Sequence, residues 1–352
     1  MNLKKNLLAV LSGKEVDITP VVSVTQLGII EAMDKIGVSW PEAHTDAEKM
    51  AELGSSLHEL VGLECARIPF CLTVEAEAMG AQVDLGGRER IPEVINSPFN
   101  TANDIQVPSD FLENGRIPTV LKSTEILKER YNDELPVIIG ICGPFTLTGH
   151  LLGVENLVRY LKTKPEEIEI AIENSLDACM DYVEALMGVY PDIICVSEPT
   201  ASPELIDPFQ FKTIIKPILE DLAGFIKTKS VLHICGSTQP IFKDMVSIGY
   251  DGVSIEEKLD ITVAKEEIAK VGKKSAGGKS LSLLGGSSSK IIGNISTSAT
   301  LFNGSTDEVK ENVKKVLDDG VDILAPSCGL APLSPLNNIQ AMIEGRNEYF
   351  NI

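Results

Sequence analysis

Eight short, nearly continuous apolar runs divide the chain, at residues 18–24, 64–70, 135–142, 192–197, 230–235, 251–256, 289–295 and 321–326. They lack the strict alternation of a strand with one wet face and suit a parallel sheet buried on both sides. Parallel strands need long crossovers, and helical patterns lie between most of the runs. Residues 46–61 place Met50, Leu53, Leu57 and Leu60 near one face. Segment 165–189 opens with Pro-Glu-Glu, suited to a first helical turn. Segments 207–227 and 260–271 are similar, and 305–319 runs from an acidic first turn to a stop at Gly320. Eight strands alternating with helices predict an α/β fold, a single closed (β/α)8 TIM barrel spanning 1–352 with a short N-terminal helical extension. An open doubly wound sheet is the competing architecture; no Gly-x-Gly-x-x-Gly follows the first run, which counts against it.

The chain has 352 residues, a length that one barrel accommodates. With 51 acidic and 31 basic side chains the formal charge is −20, which argues against a nucleic-acid or anionic-membrane surface. The seven cysteines are spread from Cys65 to Cys328 and make no secreted disulfide framework. The basic, apolar start is interrupted at Ser12, Gly13, Lys14 and Glu15, so it reads as an amphipathic helix rather than a signal peptide. A cytoplasmic protein with free thiols and no membrane association is expected.

Segment 272–289, rich in Gly, Ser and Lys, reads as a flexible loop between the sixth and seventh strands. Its Gly277-Gly278-Lys279-Ser280 resembles the tail of a phosphate loop, but Lys274 stands where that pattern needs glycine.

Barrel enzymes keep their chemistry at the carboxyl ends of the strands. There the chain places Glu198, then His233-Ile234-Cys235-Gly236, then Glu256, and finally Cys328-Gly329. His233 and Cys235 are two apart on a strand, so both face the barrel mouth. Cys328, past the eighth run, can reach inward across a narrow rim. Zinc favours imidazole nitrogen and thiolate sulfur, and three ligands leave the open position that catalytic zinc requires. The 93-residue separation of Cys235 and Cys328 argues against a structural finger. Glu256 is read as a displaceable fourth ligand or a proton acceptor, against a rim salt bridge with Lys258; Glu198 is a second catalytic candidate. Cys65, Cys71, Cys142, Cys179 and Cys195 are expected to be small core residues. His44, His58 and His150 are taken as ordinary, and Glu75, Glu77 and Asp84 as ambiguous between loop and site.

With these residues the chain resembles the uroporphyrinogen decarboxylase superfamily, and more narrowly its methylcobamide:coenzyme M methyltransferases. The resemblance covers nearly the whole chain and rests on segments 12–20, 67–80, 143–146, 232–236, 251–257, 293–296 and 325–329. It implies zinc held by His233, Cys235 and Cys328, with Glu256 as the approaching acid. It also implies methylcobamide (methylcobalamin) as methyl donor, carried by a methylated corrinoid protein, and coenzyme M as the accepting thiol in methanogenesis from methylated compounds. Arg67 or backbone N–H groups would meet the sulfonate. Decarboxylases of the superfamily share an arginine-rich stretch near the first strand, whereas residues 21–28 here contain no arginine. A tetrapyrrole lyase, methyl transfer to another thiol such as homocysteine, and a non-catalytic zinc protein remain the alternatives.

Overall fold

In the computed structural model, which describes residues 2–276 and 289–352, seven parallel strands form one curled sheet in the order β1-β4-β5-β6-β7-β8-β9. They are β1 (Ala66–Ile68), β4 (Val137–Cys142), β5 (Ile193–Ser197), β6 (Lys229–His233), β7 (Gly252–Ser254), β8 (Lys290–Ile295) and β9 (Ile323–Pro326). A short antiparallel hairpin, β2 (Gln82–Asp84) and β3 (Glu93–Asn96), follows β1 outside the sheet. Seven of the eight sequence runs thus become strands, trimmed by a residue or more at most ends.

The first run, 18–24, does not. It closes the circle between β9 and β1 as a single bridge, Val21 to Leu324. Leu324 N–H donates to Pro20 O, Val22 N–H to Leu324 O, and Glu64 N–H to Val21 O. Pro20 has no N–H to give, and the Val21 N–H goes to the Glu64 carboxylate at 3.0 Å instead of a strand carbonyl. The stave is present; its ladder is partly replaced by a side chain.

That replacement recurs at the amino ends of alternate staves. Asp192 accepts the Val137 N–H, Asp251 the Ser230 N–H and Asp322 the Ile291 N–H, each at 2.9 Å. Lysines neutralise the acids: Lys128 on Asp192, Lys229 on Asp251, and Lys290 more distantly on Asp322. Buried Glu64 is matched by Arg346 of the last helix. The N-terminal helix Leu3–Leu11 buries Leu7, Val10 and Leu11. The Leu11 side chain comes up against Gly252, the first residue of β7, at this same amino end.

Strands β4 and β5 of the curled sheet are buried along their whole length, as the apolar runs predict. Asp46 caps Ala47–Val61 through a bond from Lys49 N–H, and Ser305 with Glu308 forms a capping box on Thr306–Asp318. The expected single helix over 207–227 is instead Pro208–Gln210, a π-helical stretch Phe211–Ile215, and Lys216–Phe225. The helix after β7 runs Ile261–Ala276, so residues 272–276, expected in the Gly/Ser/Lys-rich loop, continue the helix. Alanine and lysine at these positions are good helix formers and carry the helix past Gly272. Residue 289 is buried, with its hydroxyl on Tyr250 O at 2.7 Å. The rest of that segment, including the Gly-Gly-Lys-Ser sequence, lies outside the described residues. No helix among the described residues is long and apolar enough to cross a membrane.

Candidate metal centre and cavity

The carboxyl ends of the strands open into a cavity of about 490 Å³. Its walls come from the loop after the first stave (Thr25, Gln26), the segment after β1 (Phe70, Cys71, Leu72, Thr73), the hairpin arm (Ile91, Pro92, Glu93, Val94) and the Pro144–Leu152 helix (Thr146, His150). His233, Cys235 and Cys328 line it together.

The three come together by distinct routes. His233 ends β6. Cys235 lies past the strand, in a turn closed by Gly236 at φ +85°, a conformation that favours glycine. A Cβ on Gly236 would also sit 2.7 Å from Ser202 Oγ. Cys328 follows β9, in a loop pinned by Ser327 N–H to Ile295 O and Leu330 N–H to Gln26 O. Cys235 Sγ lies 3.2 Å from His233 Nε2 and 3.6 Å from Cys328 Sγ, and Cys328 Sγ lies 3.6 Å from His233 Nε2. A tetrahedral zinc, with Zn–S ~2.3 Å and Zn–N ~2.0 Å, sets sulfur–sulfur at about 3.8 Å and sulfur–nitrogen at about 3.5 Å. The donor set fits zinc in type and nearly in spacing.

On the far side of the ring, His233 Nδ1 meets the hydroxyl of fully buried Ser254 at 3.0 Å. That contact directs Nε2 at the sulfurs. The contact with Cys235 holds the Cys328 thiol well below the usual thiol range, and His233 adds to this. The same contact, then burial, pushes Cys235 up.

Glu256 and Glu198 are placed differently. The three donor atoms lie within 4.8 Å of one another, and among the described residues no carboxylate joins them. Glu256 is close enough for its charge to act on Cys235 and Cys328, and burial raises its pKa. It lies 3.8 Å from Lys258, which pairs more closely with Glu204 at 2.9 Å. Glu198 is fully buried and does not line the cavity. Its carboxylate accepts the Phe145 and Thr146 N–H groups at 2.9 and 2.8 Å and the Thr146 hydroxyl at 2.7 Å. It anchors the first turn of the helix that brings Thr146 and His150 to the wall. Burial nevertheless raises its pKa to about 7.

Residues 2–349 match the family described as Uroporphyrinogen decarboxylase (URO-D). The chain belongs to that family. It is 40% identical over 349 residues to the Methylcobamide:CoM methyltransferase MtaA of Methanosarcina barkeri, covering 99% of this chain and 98% of that protein. It is 33% identical to the Methylcobamide:CoM methyltransferase MtbA of Methanosarcina mazei, at 98% coverage of both. A solved structure titled methyltransferase from Methanosarcina mazei superposes with a TM-score of 0.92 at 38% identity, covering 99% of each chain. The family resemblance drawn from seven segments of the sequence holds over residues 2–349.

Several residues escaped the sequence reading. Ser254 pairs in register with His233 and is two residues before Glu256, so the two-residue periodicity that linked His233 to Cys235 also points to it. His150 was taken as ordinary; it lines the cavity, its Nε2 has no partner among the described residues, and burial lowers its pKa to about 4. Cys65, Cys71, Cys142, Cys179 and Cys195 are all the buried core residues expected; Cys71 also lines the cavity and accepts from Arg116 at 3.2 Å. Glu75, Glu77 and Asp84 hold structure: Glu75 accepts the Cys142 N–H, Glu77 pairs with Arg116, and Asp84 with Arg90.

Proposed function

We propose that this chain, acting as one unit over 1–352, is a zinc-dependent methyltransferase that moves a methyl group from a methylated corrinoid to the thiol of coenzyme M. The observation that carries the reading is the donor set of His233, Cys235 and Cys328 on the wall of the cavity at the carboxyl ends of the strands. The names of the relatives support the same reaction.

His233, Cys235 and Cys328 would hold the metal, and three protein ligands leave a fourth position for substrate. Bound zinc makes a thiol acidic enough to be present as thiolate near neutral pH. Ser254 fixes the His233 ring. Glu256, two residues past the end of β7, is the acceptor for the thiol proton. Phe70, Leu72, Ile91, Pro92 and Val94 keep water from the reacting atoms. Glu198 contributes one step removed, by positioning the helix that carries Thr146 and His150. In the transfer the substrate sulfur attacks the methyl carbon, the S–C bond forms, the Co–C bond breaks, and its electron pair stays on cobalt. The corrinoid arrives on a separate protein, in the cytoplasm.

The test is an absorbance time course with methylcobalamin and coenzyme M on zinc-loaded and chelator-stripped protein. Loss of the methylcobalamin spectrum only with zinc and thiol together supports the reading. Transfer to homocysteine but not coenzyme M moves the acceptor. No transfer to either, with methylcobalamin or with a methylated corrinoid protein, overturns it.

A further inference from the structure

An ionised side chain taken out of water is costly unless an opposite charge compensates it. The fold buries three arginines, Arg67, Arg116 and Arg346. Arg116 is paired with Glu77 at 2.6 Å and Arg346 with Glu64. Arg67 is 2% exposed and lines the cavity. Its Nε donates to Val24 O at 3.3 Å and one terminal nitrogen donates to Pro69 O. Among the described residues no carboxylate oxygen lies within 4.0 Å of it. Glu75 is its acidic neighbour, but that carboxylate is committed to the Cys142 N–H, and burial raises its pKa to about 7.

The barrel makes room for this cation. Gly140 interrupts the apolar sequence of β4, and a Cβ there would lie 1.9 Å from Arg67 Nη2. The guanidinium therefore lies at the level of Gly140, which pairs with Cys195, which in turn pairs with Val231. His233 is two residues further along that strand, or ~7 Å at the rise of a parallel strand. A positive charge without a counter-ion thus stands one short molecule's length below the thiol cluster, on the same cavity.

We propose that Arg67 is the anion receptor of this cavity, selecting a thiol that carries a sulfonate or carboxylate about two carbons from its sulfur over neutral or amine-bearing thiols. The placement of the sulfur rests on the methyl-transfer reading above; the anion site itself does not. A planar guanidinium matches a sulfonate or carboxylate with parallel N–H donors, and the anion supplies the missing counter-charge.

Two measurements separate the ideas. Calorimetric titration of the protein with ethanesulfonate, which has no thiol and needs neither zinc nor corrinoid, reads the anion site alone. Wild type binds it but not ethylammonium, and a folded Arg67→Gln loses at least tenfold in affinity, as does Gly140→Ala, which displaces the guanidinium while leaving Arg67 in the chain. Failure of wild type to bind ethanesulfonate, or undiminished binding by either folded variant, overturns the proposal even if methyl transfer is confirmed. In turnover, Arg67→Gln lowers kcat/KM for 2-mercaptoethanesulfonate by about 10²-fold, mostly in KM, and leaves 2-mercaptoethanol within threefold. A parallel loss for both thiols would mark Arg67 as purely structural. Ethanesulfonate binding with no transfer to any thiol would keep the anion site and sink the methyltransferase reading.

Discussion

Replacing Ser254 with alanine tests how the metal centre is held. Ser254 is fully buried, and its hydroxyl is the partner of His233 Nδ1 at 3.0 Å. Alanine removes one oxygen and leaves the Nδ1–H facing strand β7 without an acceptor. An unsatisfied buried donor costs ~1–3 kcal/mol. The ring escapes part of that cost by rotating, and rotation turns Nε2 away from two sulfurs that now lie 3.2 and 3.6 Å from it. Removing the outer partner of a metal-bound histidine weakens the metal by about 10–100-fold, or ~1.4–2.7 kcal/mol, in the same range. The assay is zinc competition against a chromophoric chelator, with melting of the zinc-free proteins alongside. The expected result is a zinc dissociation constant raised 10–100-fold and methyl transfer lost in proportion at limiting zinc, then recovered in excess zinc. Zinc affinity within twofold of wild type would refute the claim that Ser254 orients the ligand. A large fall in the melting temperature of the zinc-free variant with unchanged affinity would refute it equally, because the serine would then serve the core alone.

Cys328→Ala removes a proposed ligand and is expected to cost more than the ~10²-fold of an outer-partner change, with activity lost together with zinc; a variant keeping both ends the assignment. His44 is buried against Trp40 with neither ring nitrogen hydrogen-bonded among the described residues, and burial, then Arg116, lowers its pKa to about 3. Because the folded value lies below the unfolded ~6.5, its contribution is full above pH 6.5 and is lost as pH falls toward 3, ~2 kcal/mol by pH 5. Denaturant melts at pH 7 and pH 5 should therefore differ by about that much less in His44→Phe than in wild type; parallel shifts would refute the assignment. Glu198→Ala leaves two helix N–H groups and the Thr146 hydroxyl without their acceptor, and chemical denaturation should show a loss of ~3–5 kcal/mol. Glu198→Gln keeps one acceptor oxygen and should lose less than half of that. Asp251→Ala, at the opposite end of the barrel, should lower stability by ~1–3 kcal/mol with zinc affinity unchanged.

The barrel was legible because double-sided burial writes itself as continuous apolar runs, and seven of the eight became strands. The first run failed at its ladder, since the Glu64 carboxylate replaces a backbone partner at Val21 and no local pattern announces a contact 43 residues away. The π-helical stretch at Phe211–Ile215 was likewise invisible, because its side-chain pattern is that of an ordinary amphipathic helix. His233 and Cys235 were readable from two-residue spacing at a strand end, and Cys328 from the closure of eight staves. Glu198 was not, since a rim glutamate aimed at substrate and one turned back onto a helix N-terminus look alike until the next element is placed. Arg67 was visible only as a cation within the second run; that, among the described residues, it is the buried arginine without an ion pair is a property of the packed barrel.

The carboxylates of Glu64, Asp192, Asp251 and Asp322 also bear on the far rim of the molecule. Each ties the start of one stave to the backbone of the preceding one and thereby sets their vertical stagger. Stagger is what converts position along the chain into depth inside a barrel. The distance between the charged layer at Gly140 and the sulfur layer at His233 is thus measured out from the opposite end of the protein. Slipping one stave by one residue would change the length of molecule the cavity can hold without altering a single residue that touches it.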